Sequence, residues 1–146
     1  MKLQVPFTVS DDALLPSYAH EDDAGMDLRA DIEKDVTLLP GDILLVPTGL
    51  SLQIPSGWVG MVVPRSGLAC KRGVTVVNSP GIIDASYRGV LHVGLINLGN
   101  QPETIHPRDR IAQLLVLGVP ELDLMRVTQL GESDRGTDGF GSSGVK

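Results

Sequence analysis

Apolar residues recur at every second position through most of this chain, and that period constrains the fold more than any other feature. Leu50, Leu52 and Ile54 form one such run, and Met26, Leu28 and Ala30 another. Val59, Met61 and Val63 follow the pattern, as do Leu91, Val93 and Leu95, and near the start Leu3, Val5, Phe7 and Val9. Successive side chains of a strand point to opposite faces, so each run turns one face toward a core. Turn signals separate the runs: Pro40-Gly41, Pro55-Ser56-Gly57, Pro80-Gly81 and Gly99-Asn100-Gln101-Pro102. Many short strands between such turns predict an all-β antiparallel sandwich or barrel. The helical content expected is one short helix over 67–72, or a turn over 121–126. There is no internal repeat and no heptad pattern.

At 146 residues the chain fits one domain. No apolar run approaches the roughly 20 residues of a membrane span. The first residues, MKLQVPFTVSDD, lack the basic start and apolar stretch of a signal peptide, so a cytoplasmic location is expected. Twelve Lys and Arg against eighteen Asp and Glu give a formal charge of −6. That balance argues against a nucleic-acid polymer as partner, because basic surface supplies most of that affinity. Cys70 is the sole cysteine, which excludes an internal disulfide and a cysteine-cluster metal site. It reads as a small buried or half-buried residue. His20, His92 and His106 lack ligand-like spacing, which argues against zinc.

A composition boundary falls near residue 131. The final stretch, GESDRGTDGFGSSGVK, is rich in glycine and poor in apolar residues, so the chain divides into 1–130 and 131–146. Alone, such a segment cannot offset its ordering entropy by burial and reads as a disordered tail. Arg135, Phe140 and the two serines suggest a second reading, an arm that orders over a ligand.

Four interior segments carry polar residues suited to chemistry. Pro64-Arg65-Ser66-Gly67-Leu68-Ala69 leaves a strand and opens the short helix, where free backbone N–H groups and a guanidinium suit a phosphate. A capped turn with a solvated arginine would look the same. Gly81 to Gly89 looks like a hairpin containing Asp84 and Tyr87. The aspartate could orient and deprotonate a water, and the tyrosine could lie against a sugar-like ligand. Both could equally be turn and packing residues. Asp27, in AGMDLRA, could hold a metal-bound water or pair with Arg29 or Arg110. Gln113, in DRIAQLL, needs a partner if buried, from the protein or from a ligand. Common nucleotide-hydrolase templates fail, since PRSGL is not a GxSxG elbow and GxxxxGK[ST] is absent.

Together these segments resemble the trimeric dUTP diphosphatase (dUTPase) family. AGMDLRA (24–30), PRSGLA (64–69), GIIDASYRG (81–89), DRIAQLL (109–115) and RGTDGFGSSG (135–144) match its motifs in order. The resemblance implies a jelly-roll-type β-sandwich assembled as a homotrimer, with active sites at subunit interfaces. It implies Mg2+-dependent hydrolysis of dUTP to dUMP and pyrophosphate, which limits uracil in DNA and supplies the dTMP precursor.

By the same resemblance Asp84, Gln113 and Asp27 form the catalytic set. Asp84 activates the attacking water, while Asp27 acts on Mg2+ through water, the metal being held mainly by the substrate phosphates. Arg65, Ser66 and Gly67 contact phosphates, as does Gln113. Asn78, Gly81, Ile82 and Ile83 bind the uracil side of the substrate, and Tyr87 lies under the deoxyribose. Arg135 meets the γ-phosphate, and Phe140 stacks on uracil as the arm, with Gly141 and Ser142, closes. His92 joins the substrate-binding set where family members carry Lys or Met. Arg108 stands where the family often has glycine.

Two other functions share part of this pattern. The fold-related dCTP deaminases use a glutamate shortly after the hairpin glycine. Here the matching position is Gly94, and no glutamate occurs between Glu33 and Glu103. The deaminases also lack the C-terminal arm. Loss of the aspartate or of the arm would favour a dUTPase-like module that binds nucleotides or partners without catalysis, and this chain keeps both Asp84 and the arm from Arg135 to Gly144.

Overall fold

A computed structural model describes residues 2–140 and 143–144. The strands are β1 (Phe7–Val9), β2 (Met26–Arg29), β3 (Val36–Leu38), β4 (Ile43–Pro47), β5 (Leu50–Leu52) and β6 (Trp58–Val63). They continue with β7 (Val74–Val76), β8 (Gly81–Ile83), β9 (His92–Asn97), β10 (Glu103–Ile105) and β11 (Arg110–Gly118). One α-helix, α1 (Ser66–Arg72), follows β6 and ends at Gly73, whose φ of 74° places it in the left-handed region. The expected short helix is therefore present. The alternative turn over 121–126 is absent: these residues are exposed and carry no regular structure.

All pairings are antiparallel. A four-stranded sheet has the order β2-β11-β6-β8 and a three-stranded sheet the order β4-β9-β7, with the pairs β1-β5 and β10-β3 beside them. The last strand thus lies between the second and the sixth, the long-range crossover pattern of a jelly-roll-type sandwich. The Gly81–Gly89 segment does not form a hairpin. Its strand β8 pairs with β6, Gly81 opposite Val62 and Ile83 opposite Gly60, and the chain then turns away.

The core is aliphatic. Leu28, Leu38, Leu50, Ile54, Leu91 and Leu95 are almost completely buried. Of the aromatic side chains, half-buried Trp58 packs against its edge, while Phe7 and Tyr18 are exposed. The period-two reading identifies the inward face at Leu50, Leu52, Ile54 and at Leu91, Val93, Leu95. In β6 it selects the wrong face. Gly60 and Val62 point inward, while Val59, Met61 and Val63 are half-buried. At the N-terminus only Phe7–Val9 becomes strand, and Leu3 and Phe7 stay exposed. Cys70 is exposed on α1, whose one buried residue is Leu68. No described helix is long and apolar enough to cross a membrane.

Candidate active site

Two separate pockets collect the polar segments. The first opens between β2, β11 and the start of α1. A register shift in β11 between Arg110 and Ala112 buries Ile111 and Ala112 together. The extra residue puts Arg110 and Gln113 on the same face, the one presented by Asp27 of β2. Asp27 lies opposite Gln113 in the ladder, and its N–H donates to the Ser17 carbonyl at 2.9 Å.

The Asp27 carboxylate, only 8% exposed as a residue, holds two guanidiniums. Arg65 Nε donates to Oδ1 at 2.8 Å and Arg110 Nη1 to Oδ2 at 3.3 Å. Of the two partners considered for Asp27, Arg110 is the one used, since Arg29 donates to the Arg108 carbonyl instead. Arg65 occupies the N-cap position of α1 without a side-chain cap bond, since a guanidinium has no acceptor, and its side chain reaches to Asp27 instead. Gln113 meets the requirement for a partner by donating from Nε2 to the Pro64 carbonyl at 3.0 Å. Its Oε1 lies against Gly25, where a Cβ would come within 2.5 Å. The pocket, about 380 Å³, is lined by Asp27, Arg65, Ser66, Gly67 and Gln113, together with His20 and Asp23.

The second pocket, about 310 Å³, lies between β8, β9 and the turn after β8. Asn78, Gly81, Ile82 and Ile83 form one side, Tyr87 and His92 another, and Val62, Val76, Leu91 and Val93 the apolar floor. The turn at 84–87 is closed by the Tyr87 N–H on the Asp84 carbonyl at 3.0 Å. Arg88 Nη1 reinforces it by donating to the Ala85 and Tyr87 carbonyls at 2.6 and 2.8 Å. Asp84 is exposed at the mouth of this turn. Among the described residues its carboxylate takes no hydrogen bond. The Ser79–Pro80 peptide bond is cis, between Asn78 and Gly81.

A family model, dUTPase, matches residues 11–144. The chain belongs to the dUTPase family. The deoxyuridine 5'-triphosphate nucleotidohydrolase of Desulfotalea psychrophila is 55% identical over 90% of this chain and 87% of that protein. That of Fusobacterium nucleatum is 43% identical over 98% of each. Among solved structures, the dUTPase of Staphylococcus bacteriophage 80alpha with dUPNHPP superposes with a TM-score of 0.87 at 26% identity. That match covers 99% of this chain and 100% of the other.

Measured against the family resemblance, the pockets gather the expected residues into two groups that share no lining residue. Asp27, Arg65, Ser66, Gly67 and Gln113 come together in one, and Asn78, Gly81–Ile83, Tyr87 and His92 in the other. Asp84, Arg135 and Phe140 line neither. Arg135 donates to the Asp138 and Gly139 carbonyls of its own loop, and the Phe140 ring is fully exposed. Gly141 and Ser142 lie outside the described residues. One supporting residue escapes the sequence reading of this dUTPase-family site: Arg88, which acts through backbone carbonyls of the turn. Arg110 is one of the two partners the sequence offers Asp27, but the bulge that brings it there does not show in the periodicity.

Proposed function

We propose that this chain hydrolyses dUTP to dUMP and pyrophosphate by water attack on the α-phosphorus, limiting uracil in DNA and supplying the dTMP precursor. The observation that carries this reading is the pairing of a small, apolar-floored pocket edged by Asn78 and Tyr87 with a pocket built on Arg65 and Gln113. The first suits a flat base and its sugar. The Asn78 amide offers both donor and acceptor to a pyrimidine edge, and the Tyr87 ring crowds the position of a ribose 2′-hydroxyl. The second suits a phosphate chain, since guanidinium groups and Ser66 offer donors to its oxygens.

Asp84, free of protein partners and beside Tyr87, is the base that positions and deprotonates the attacking water. Arg65 and Arg135 offset charge on the triphosphate, and closure of the 131–146 arm brings Arg135 and Phe140 over the nucleotide. Because Arg65 lines the first pocket while Tyr87 lines the second, with Asp84 exposed in the turn beside it, a complete site joins the first pocket of one subunit to the second of another. This supports a homotrimer with shared sites.

Asp27 and Asp23 are hard oxygen donors lining the phosphate pocket, which fits Mg2+. No cluster of three or more His, Cys, Asp or Glu side chains forms a metal cage among the described residues. Asp27, already engaged by two arginines, would therefore hold a metal through its water, with the triphosphate supplying the main ligands. Such an ion would lower the charge on the phosphates during attack. The location implied is cytoplasmic, where the nucleotide pool is used.

Incubation of the purified protein and Mg2+ with dUTP, dCTP, dTTP or UTP, with the products resolved, tests the reading. Pyrophosphate and dUMP are expected from dUTP. Absence of pyrophosphate overturns the reading, and dUTP formed from dCTP would identify a deaminase. Light scattering tests the assembly, for which a trimer mass is expected and a monomer mass would contradict shared sites.

A further inference from the structure

The Val90 carbonyl oxygen accepts two hydrogen bonds at the edge of the base pocket. The Tyr87 hydroxyl donates to it at 2.9 Å, and His92 Nδ1 lies 2.9 Å from it. A carbonyl can only accept, so Nδ1 of His92 must carry the hydrogen and a neutral ring must leave Nε2 bare. Two lone pairs allow both donors at once.

The arrangement holds the tyrosine at two points. Its ring lies against Gly89, where a Cβ would fall 2.7 Å from Cζ, and its hydroxyl is tied to Val90. Val90 itself belongs to no strand, so its carbonyl needs an anchor. His92 supplies one. It opens β9 opposite Pro47 of β4, beside the buried Val46–Val93 pair.

We infer that His92 is a positioning residue whose Nδ1–H fixes the Val90 carbonyl, thereby fixing Tyr87 and setting how strictly the pocket refuses a ribose. The inference rests on the dUTP reading above and adds to it the residue that holds the sugar discriminator in place. No contact between His92 and the reacting atoms is required.

Two measurements test it. In 15N NMR of the full-length protein with labelled histidine, His92 is expected as the neutral Nδ1–H tautomer. A dominant Nε2–H tautomer overturns the inference, whatever the catalytic result. His92→Leu removes the donor, whereas His92→Asn keeps an N–H at the same number of bonds from the backbone. In the leucine variant the preference for dUTP over UTP in kcat/KM is expected to fall about fivefold, the loss of one hydrogen bond. Most of that change should appear as a lower KM for UTP, and the asparagine variant should reverse most of it. An unchanged preference in His92→Leu, or an equal loss in both variants, overturns the inference. If the wild-type protein releases no pyrophosphate from dUTP, the function fails instead, and the tautomer alone decides the role of His92.

Discussion

Arg65 Nε donates to Asp27 Oδ1 at 2.8 Å, binding the residue before α1 to strand β2 across the first pocket. The second oxygen of Asp27 holds Arg110, so one carboxylate balances two guanidiniums. In Asp27→Asn both arginines lose their countercharge in a half-buried setting. Stability is expected to fall by about 2 kcal/mol, read from denaturant unfolding. The Mg2+ concentration for half-maximal dUTP turnover should rise about tenfold, as when an outer-sphere ligand is lost. Unchanged Mg2+ dependence would remove Asp27 from the metal site and leave it a purely structural residue.

Gly25 and Gln113 meet at a different constraint. A methyl at residue 25 would press on Gln113 Oε1, 2.5 Å away, and the amide would leave the Pro64 carbonyl. Gly25→Ala is therefore expected to lower kcat/KM for dUTP about tenfold through misplacement of the phosphate pocket. The fold should persist, because the side chain that yields lines a pocket and is not part of the core. A wild-type rate in this variant would show that Gln113 can turn aside without cost.

What the sequence made legible follows from how single-valued each local signal is. Leu91, Val93 and Leu95 have polar or small neighbours at 92 and 94, so their buried face is unambiguous. In Trp58–Val63 both faces are apolar, and the choice between them is tertiary. Ile83 of β8 packs where a Cβ on Gly60 would sit, 3.0 Å from its own Cβ. Taken singly, the segments around Arg65 and Asp84 read equally as turns, because Gly, Ser, Asp and Pro are ordinary there, and only the five motifs in order singled them out. The bulge that brings Arg110 to Asp27 was not, since an extra residue in one strand shows only against its partner. Nor could one chain's periodicity show that the two residue groups fall in different pockets.

Arg108 adopts φ of 68°, a region that costs any residue with a Cβ, and its guanidinium reaches Asp11 at 3.2 Å. The strain and the exposed ion pair oppose each other. Arg108→Gly removes both, whereas Arg108→Ala removes the pair and keeps the strain of about 1 kcal/mol. Calorimetry is expected to rank the glycine variant above the alanine variant in Tm. The reverse order would mean that the turn relaxes freely once the arginine is gone.

His106 and Asp35 form an exposed pair, Nδ1 to Oδ1 at 2.8 Å. The hydrogen bond to Asp35, and then its charge, hold the imidazole above its ordinary 6.5. A raised folded-state value stabilises the protein fully below the unfolded value, and the contribution is lost as pH rises through the folded one. His106→Gln should therefore melt below wild type at about pH 5.5 and converge with it in alkaline solution. Asp11 works in the opposite window. Its carboxylate is held below 3.8, first by the Ala13 N–H, so its contribution disappears only as pH falls beneath that range. A wild-type to His106→Gln difference that grows with pH would contradict the pairing.

Among the described residues, 131–140 bond only with one another: the Gly136 N–H donates to the Ser133 carbonyl, and Arg135 to the carbonyls of Asp138 and Gly139. Their side chains are exposed, and none buries surface on the sandwich. Ending the chain after Leu130 should therefore leave Tm within about 2 °C of the full-length protein, since no core area is lost. Turnover of dUTP should nevertheless fall about a hundredfold, the scale of losing a charged donor to the transition state. Arg135→Ala should account for much of that fall through kcat, whereas Phe140→Ala should act mainly through KM for dUTP. If the shortened chain hydrolyses dUTP at the full rate, the segment is a tail and Arg65 alone meets the phosphates. If it instead loses Tm, the segment has a structural contact in the assembled protein, and the division at residue 131 fails.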